Sequence, residues 1–186
     1  FRGSKRTTLE GGIHVPFVVS WAGKVAPGVY TKPAIQLDLT CTALTAAGIE
    51  IKPEWKLDGV DLLPFLSGSR TGAPHDVLYW RFGEQMAIRH GDYKLVRYDM
   101  NVETRSGRKE PVSATKLYDL VHDVGETRDL ASSLPDKVKE LQRIWDAWDA
   151  TLIKPATGQG ARDNDGDEPD AKAKRNAIPN VRKRLF

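Results

Sequence analysis

The chain has 186 residues, 40% hydrophobic and 28% charged, with a formal net charge of +3. Its length allows one good-sized core or two small ones, and five Trp, five Tyr and five Phe mark a folded chain rather than a disordered one. No apolar run approaches the roughly 20 residues of a membrane span, the mild positive charge does not by itself point to nucleic acid, and the single cysteine, Cys41, excludes an internal disulfide framework.

Residues 1–12 are polar and Gly-rich and read as a loop. "HVPFVVSW" (14–21) reads as a strand, stopped by the turn segment "AGKVAPG". Pro33 suits the first turn of a helix, Ile35, Leu39, Ala43, Ala46 and Ala47 recur at helical spacing, and Gly48 stands where a C-cap glycine belongs. A helix is therefore expected over about 35–47. "DGVDLLPFLSG" is a short helical turn or tight apolar loop. From residue 75 the texture changes to short β-branched and aromatic runs: "HDVLYWRF", "QMAIRHG", "YKLVRYD" and "TKLYDLVHD". With a Gly-Asp turn inside "RHGDYKLV", they predict a meander of about four antiparallel strands, with residues 100–114 as a polar connection. "SLPDKVKELQRIWDAWDATLI" predicts a helix: Ser133 can cap it, and Val138, Leu141, Ile144, Trp145, Trp148 and Leu152 form one apolar stripe that needs the sheet as partner. The stretch from Pro155 reads as a solvated charged tail, acidic in "DNDGDEPD" and basic towards "RKRLF". One strand and one helix cannot build an α/β domain, so the first segment reads as the last part of something larger. The start on Phe1 rather than methionine points the same way.

Lys5 on its Gly-rich loop is either a contact for an anionic ester oxygen or, like most lysines, simply solvated. Thr7 and Thr8 are ordinary loop residues. Glu10, ahead of Gly11 and Gly12, is expected to order the turn by accepting backbone N–H groups. Cys41 sits on an apolar helix face and reads as a small buried residue. The Trp145/Trp148 pair reads as core. "DNDGDEPD" alternates acids but lacks the glycine and the final glutamate of an EF-hand loop.

"GSKRTTLEGGIHVPFVVSWAGKVAPG" resembles the sulfatase pattern Gly-x-Lys-Gly-x-x-x-Glu-Gly-Gly-x-x-x-Pro followed by an apolar strand and a Trp-x-Gly-Lys turn. "LDLTCTALTAAGI", "LDGVDLLPFLSG", "AIRHGDYKLV" and "LYDLVHDVGETRDLA" resemble further segments of that family, in the family's order, over about residues 3–150. Any one match is weak; kept in register, they identify the chain as similar to the C-terminal portion of a sulfatase of the alkaline-phosphatase-like superfamily. The resemblance implies an α/β parent fold, with α+β character in this chain. Residues 1–74 would end the large α/β domain, 75–154 would form a small antiparallel-sheet subdomain packed by one long helix, and 155–186 would be the tail.

The resemblance also implies a sulfuric ester hydrolase. Its nucleophile is a formylglycine made from a Cys-x-Pro/Ala-x-Arg cysteine, and a divalent cation, usually Ca2+, polarises the sulfate oxygens. Lys5 carries over as the residue that binds a sulfate oxygen and assists the departing alkoxide. Arg6 stands where the family usually has glycine; it either adds a second cation or marks a differently shaped loop. His14 replaces a frequent arginine and reads as structural, and Val124 replaces a proline. "CTALT" has no arginine at its fifth position, so Cys41 is not the nucleophile. Nucleophile and metal ligands are expected outside 1–186, which leaves the chain inactive alone, with apolar surface exposed over 13–47. Substrates would be sulfated small molecules or carbohydrates, with no nucleic-acid partner, and the location periplasmic or secreted. A phosphonate or phosphate ester hydrolase of the same superfamily is one alternative reading. A non-catalytic module for sulfated polysaccharide, using Lys5, Arg6 and the basic tail, is another.

Overall fold

The computed structural model describes residues 1–108 and 110–153. Phe1–Asp149 form one compact unit; the stretch from Pro155, expected as a solvated tail, lies outside the described residues. The centre of this unit is an antiparallel meander, β1 (Val77–Phe82), β2 (Gln85–His90), β3 (Tyr93–Arg97) and β4 (Lys116–Asp119), in the sheet order β1-β2-β3-β4. Two-residue hairpins join the first three strands. Phe82 faces Gln85 across Gly83-Glu84, and His90 faces Tyr93 across Gly91-Asp92. Gly83 and Gly91 have φ of 60° and 59°, as such tight turns require. The polar connection after β3 holds a helical turn, α4 (Asn101–Thr104), and a bridge between Asp99 and Val112.

Side chains alternate across the sheet, and each face has its own cover. On one face Met86, Ile88, Leu95 and Leu117 pack against Leu141 and Trp145 of the helix α5 (Pro135–Asp149). Val138, Ile144 and Trp148 complete the stripe expected from the sequence, and the helix stops at Asp149, short of the expected Leu152. Trp148 stacks on Tyr79, ring centroids 4.6 Å apart. On the other face Ala87, Val96, Tyr98, Tyr118 and Leu120 enclose Leu9 from the N-terminal loop. The Lys5 loop therefore covers the sheet from the side opposite α5.

The N-terminal region departs from the sequence reading in three places. Residues 10–12, expected as loop, form with Ile13 a single helical turn, α1 (Glu10–Ile13). Residues 14–21, expected as a strand, belong to no strand among the described residues. Val15, Phe17 and Val18 are exposed, and a β-prone segment without a ladder partner has nothing to pair its backbone. The helix expected over 35–47 is shorter, α2 (Asp38–Ala46). Its start is set by Asp38, whose carboxylate accepts the Ile35 N–H at 2.8 Å and the Val60 N–H at 2.9 Å. Asp38 also meets His75 Nε2 at 2.7 Å. Beyond it, "DLLPFL" holds α3 (Leu63–Leu66), with Phe65 buried. The apolar exposure expected over 13–47 is present at Val15, Phe17, Val18, Trp21, Val29, Leu37 and Leu39.

Candidate functional site

Lys5 and Arg6 occupy the tip of a turn closed by the Thr7 N–H on the Ser4 carbonyl at 3.2 Å. The Thr7 hydroxyl donates to the same carbonyl at 2.9 Å. Both Lys5 and Arg6 are exposed. Arg6 has φ of 78°, the left-handed conformation that a type II turn demands at its third position and that glycine adopts without strain. The turn thus keeps the shape a glycine would give it, and the side chain that replaces glycine points no bond back into the loop. Arg6→Gly is expected to raise stability by roughly 0.5–1 kcal/mol, the left-handed penalty of an L-residue less the extra chain entropy of glycine. A urea midpoint that moves up at unchanged m-value checks this; a fall would show that the arginine contributes more than its strain.

The loop is held by the sheet along its length. Gln85 Nε2 donates to the Arg6 carbonyl at 3.0 Å, and the buried Thr8 hydroxyl donates to the Arg97 carbonyl at 3.0 Å. The Gly11 N–H reaches the Arg2 carbonyl at 2.7 Å. A Cβ on Gly11 would fall 2.5 Å from the Arg2 and Gly3 carbonyl oxygens, and one on Gly12 2.1 Å from that of Thr7. The Gly-Gly pair is thus a close-approach requirement of the folded-back loop.

Beneath the loop lies a buried charge cluster. Lys94 Nζ, fully buried, donates to Glu10 Oε1 at 2.7 Å and lies 2.8 Å from Glu126 Oε1, the latter an ion-pair contact rather than an aligned hydrogen bond. Glu126 Oε2 accepts the Glu10 N–H at 2.7 Å. Burial pushes the Glu10 carboxyl up, but the charge and hydrogen bond of Lys94, helped by His14, bring it below the ordinary glutamate value. At Glu126 burial outweighs Lys94, and the carboxyl is raised. Alongside, Arg2 donates to the Glu126 carbonyl at 2.8 Å and to Tyr98 Oη at 3.1 Å, and pairs with Glu103. Tyr98 donates to Glu103 at 2.6 Å, and burial together with that bond pushes its phenol up to about 12.

Contrary to the expectation from the sequence, Glu10 does not order the turn by accepting backbone N–H groups. Its carboxylate serves Lys94 and His14, and Glu126 is the carboxylate that takes a backbone N–H of the turn. His14 bonds Glu10 Oε2 at 2.9 Å and stacks on Phe1, in keeping with a structural residue. Cys41 is buried and donates its thiol to the Gly59 carbonyl at 3.0 Å; burial, with Asp38 and Asp61 near, raises its pKa, the opposite of an activated nucleophile. Sequence reasoning missed Lys94 and Glu126. A signal was present: in "YKLVRY" Lys94 alternates in phase with Val96 and Tyr98, an inward position where lysine requires a buried partner. Among the described residues no group of three or more His, Cys, Asp or Glu is placed to hold a metal ion. The two buried glutamates are engaged by Lys94, so these residues do not fit the divalent cation the resemblance implies.

A meander covered on one face by a helix and on the other by a lysine loop is a fold with known counterparts. It superimposes on a structure reported for the metabolism of multiple glycosaminoglycans by Bacteroides thetaiotaomicron, with a TM-score of 0.62 and 21% identity, covering 81% of this chain and 32% of that one. It also matches Ps i-CgsB, with a TM-score of 0.57 and 20% identity, covering 73% of this chain and 29% of the other. The family description "N-sulphoglucosamine sulphohydrolase, C-terminal" matches residues 3–144. The chain belongs to this sulfatase family. It is 31% identical over 169 residues to the uncharacterized sulfatase YdeN of Escherichia coli K12, covering 77% of this chain and 30% of YdeN. Against arylsulfatase A of Bos taurus it is 31% identical over 173 residues, covering 81% of this chain and 34% of that enzyme. The chain thus spans about a third of the length of these curated relatives.

Proposed function

We propose that the chain is the C-terminal part of an enzyme that hydrolyses sulfate esters of a carbohydrate or small molecule, and that Lys5 is its contact with the ester. The observation that carries the reading is the exposed ammonium at the tip of a turn closed between Ser4 and Thr7 and held on the sheet through Arg6 and Thr8. Such a cation can donate to an anionic sulfate oxygen and then to the departing alkoxide, stabilising charge as the S–O bond breaks. A formylglycine nucleophile and a divalent cation are assigned, as the resemblance implies, to sequence outside 1–186. The exposed Val15, Phe17, Val18 and Trp21 support a seat for the rest of an α/β domain. A sulfated carbohydrate is the favoured substrate class, since the matching family is described by an N-sulphated sugar and N-acetylgalactosamine-6-sulfatase of Sus scrofa is 38% identical over 96 residues. We also propose, on the family resemblance alone, that the enzyme works in the periplasm or outside the cell.

The test is turnover of 4-nitrophenyl sulfate, 4-nitrophenyl phosphate and sulfated disaccharides by the full-length enzyme. Sulfate esters are expected to be preferred, and Lys5→Ala is expected to lower kcat about 10²–10³-fold, the usual loss on removing one donor to developing charge. Preference for the phosphate ester would transfer the protein to the phosphoesterase reading. An unchanged kcat would remove Lys5 from the site. The chain 1–186 alone is expected to show no turnover, and metal-dependent sulfatase activity from it would overturn that part.

A further inference from the structure

Loop residues 3–9 contain no regular secondary structure, and fixing each of them costs backbone entropy. Burying Leu9 helps offset that cost, but an aliphatic anchor is non-directional and would accept small shifts of the loop. The polar contacts are directional. Arg2 fixes the loop's entry on the Glu126 carbonyl, Tyr98 and Glu103. Glu10 fixes its exit on Lys94, and Glu126 grips the Glu10 N–H. These partners lie on β3 (Lys94), just after it (Tyr98), on α4 (Glu103) or on the segment after β4 (Glu126), far from Lys5 in sequence. Lys5 itself is exposed and has no hydrogen-bond or ion-pair partner among the described residues.

We propose that Glu10, Lys94 and Glu126 are positioning residues: a buried ionic clamp, joining α1 to Lys94 of β3 and to Glu126 beyond β4, that sets where the Lys5 ammonium stands. Buried ion clusters contribute little net stability compared with apolar packing, but they admit few geometries, which is the property a positioned cation needs. The clamp acts through Lys5 and so rests on the reading that Lys5 meets the ester. Its two parts, a fixed loop and a catalytic consequence, are read separately.

The first measurement is amide hydrogen exchange on the chain itself, comparing wild type with Glu10→Gln and Glu126→Gln, both near-isosteric. The N–H groups of Thr7, Gly11 and Gly12 are expected to exchange at least about tenfold faster in either variant, while those of β2 and β3 keep their protection. Unchanged exchange at Thr7 and Gly11 would overturn the clamp, and so would uniform loss of protection across β2 and β3 in both variants, which would make the cluster a general fold element. The second measurement is a cycle in the full-length enzyme with 4-nitrophenyl sulfate. Glu10→Gln is expected to lower kcat about 10–100-fold with KM within about twofold, and to have no further effect in the Lys5→Ala background. Equal loss in both backgrounds would show that Glu10 does not act through Lys5 and would overturn the proposal. If Lys5→Ala alone leaves kcat unchanged, the functional reading fails, and the exchange experiment still decides whether the loop is clamped.

Discussion

Lys94→Met is expected to destabilise the chain by about 3–5 kcal/mol near neutral pH, the cost of leaving buried carboxylates without their cation. Methionine matches the length of the lysine stem, so the cavity contribution is small and the loss reports the charge. Both Glu10 and Glu126 lie at most 4% exposed, and water cannot replace Lys94 without opening the loop. The sign of the pH dependence follows from the two carboxyls. In the wild type Glu10 is held below its ordinary value of 4.5, so its contribution is present above that pH and lost as pH falls through the lowered value. Glu126 is raised above 4.5, so folding favours its protonated form, and its contribution fades as pH rises through the raised value. The two oppose each other in the wild type. Without Lys94 both carboxyls move up, and the variant gains stability on acidification through the region at and above 4.5. The gap to wild type therefore narrows as pH falls. Urea unfolding at several pH values between neutral and 4.5 measures it, and a pH-independent gap would mean that the loss is packing and not charge.

Trp145→Ala is expected to cost about 3–5 kcal/mol, as truncation of a buried tryptophan does when the site cannot collapse. Trp145 is 7% exposed and meets Met86, Ile88, Leu95 and Leu117 on the helix-covered face of the sheet. Its ring lies edge-on to Trp148 at 6.1 Å, and Trp148 stacks on Tyr79. Removing it unseats the contact that fastens α5 to β2 and β3. Trp145→Phe should cost much less, because the buried indole N–H has no hydrogen-bond partner and phenylalanine leaves no donor to satisfy. Comparing the denaturant midpoints of the two variants checks both statements. A phenylalanine variant as unstable as the alanine one would show that indole shape, and not apolar area, holds the helix.

The two variants probe opposite faces of one sheet, and the faces were unequally legible. The stripe of α5 was readable because a 3.6-residue period survives translation into any fold that buries one helix face. The hairpins were readable because Gly83-Glu84 and Gly91-Asp92 carry their turn chemistry locally. The opposite face was not. Its cover is an irregular loop whose apolar anchor, Leu9, has no periodic neighbours, and its charged anchors are 84 and 116 residues apart from their partners in sequence. Arg6 shows the same divide. That a glycine position had been filled by arginine was visible in the sequence, but whether the loop kept its shape was not, because a φ of 78° is imposed by the closure of the turn and the grip of Gln85.

Residues 14–21 mark the limit of local pattern. Their valines and aromatics carry strand propensity, but a strand exists only through its neighbours' hydrogen bonds, and none of the described strands pairs with them. The sequence by itself carried the four-stranded meander and the amphipathic helix, since each rests on spacing or turn chemistry within a few residues, while the sulfatase family and the expectation for Lys5 came from resemblance, through motifs kept in order along the chain. Only the tertiary structure decided that the Lys5 loop lies on the sheet and that Glu10 answers to Lys94 rather than to its own turn. Burial turns a solvated charge into one that must find a partner, and which partner it finds depends on distances that exist only once the chain has folded.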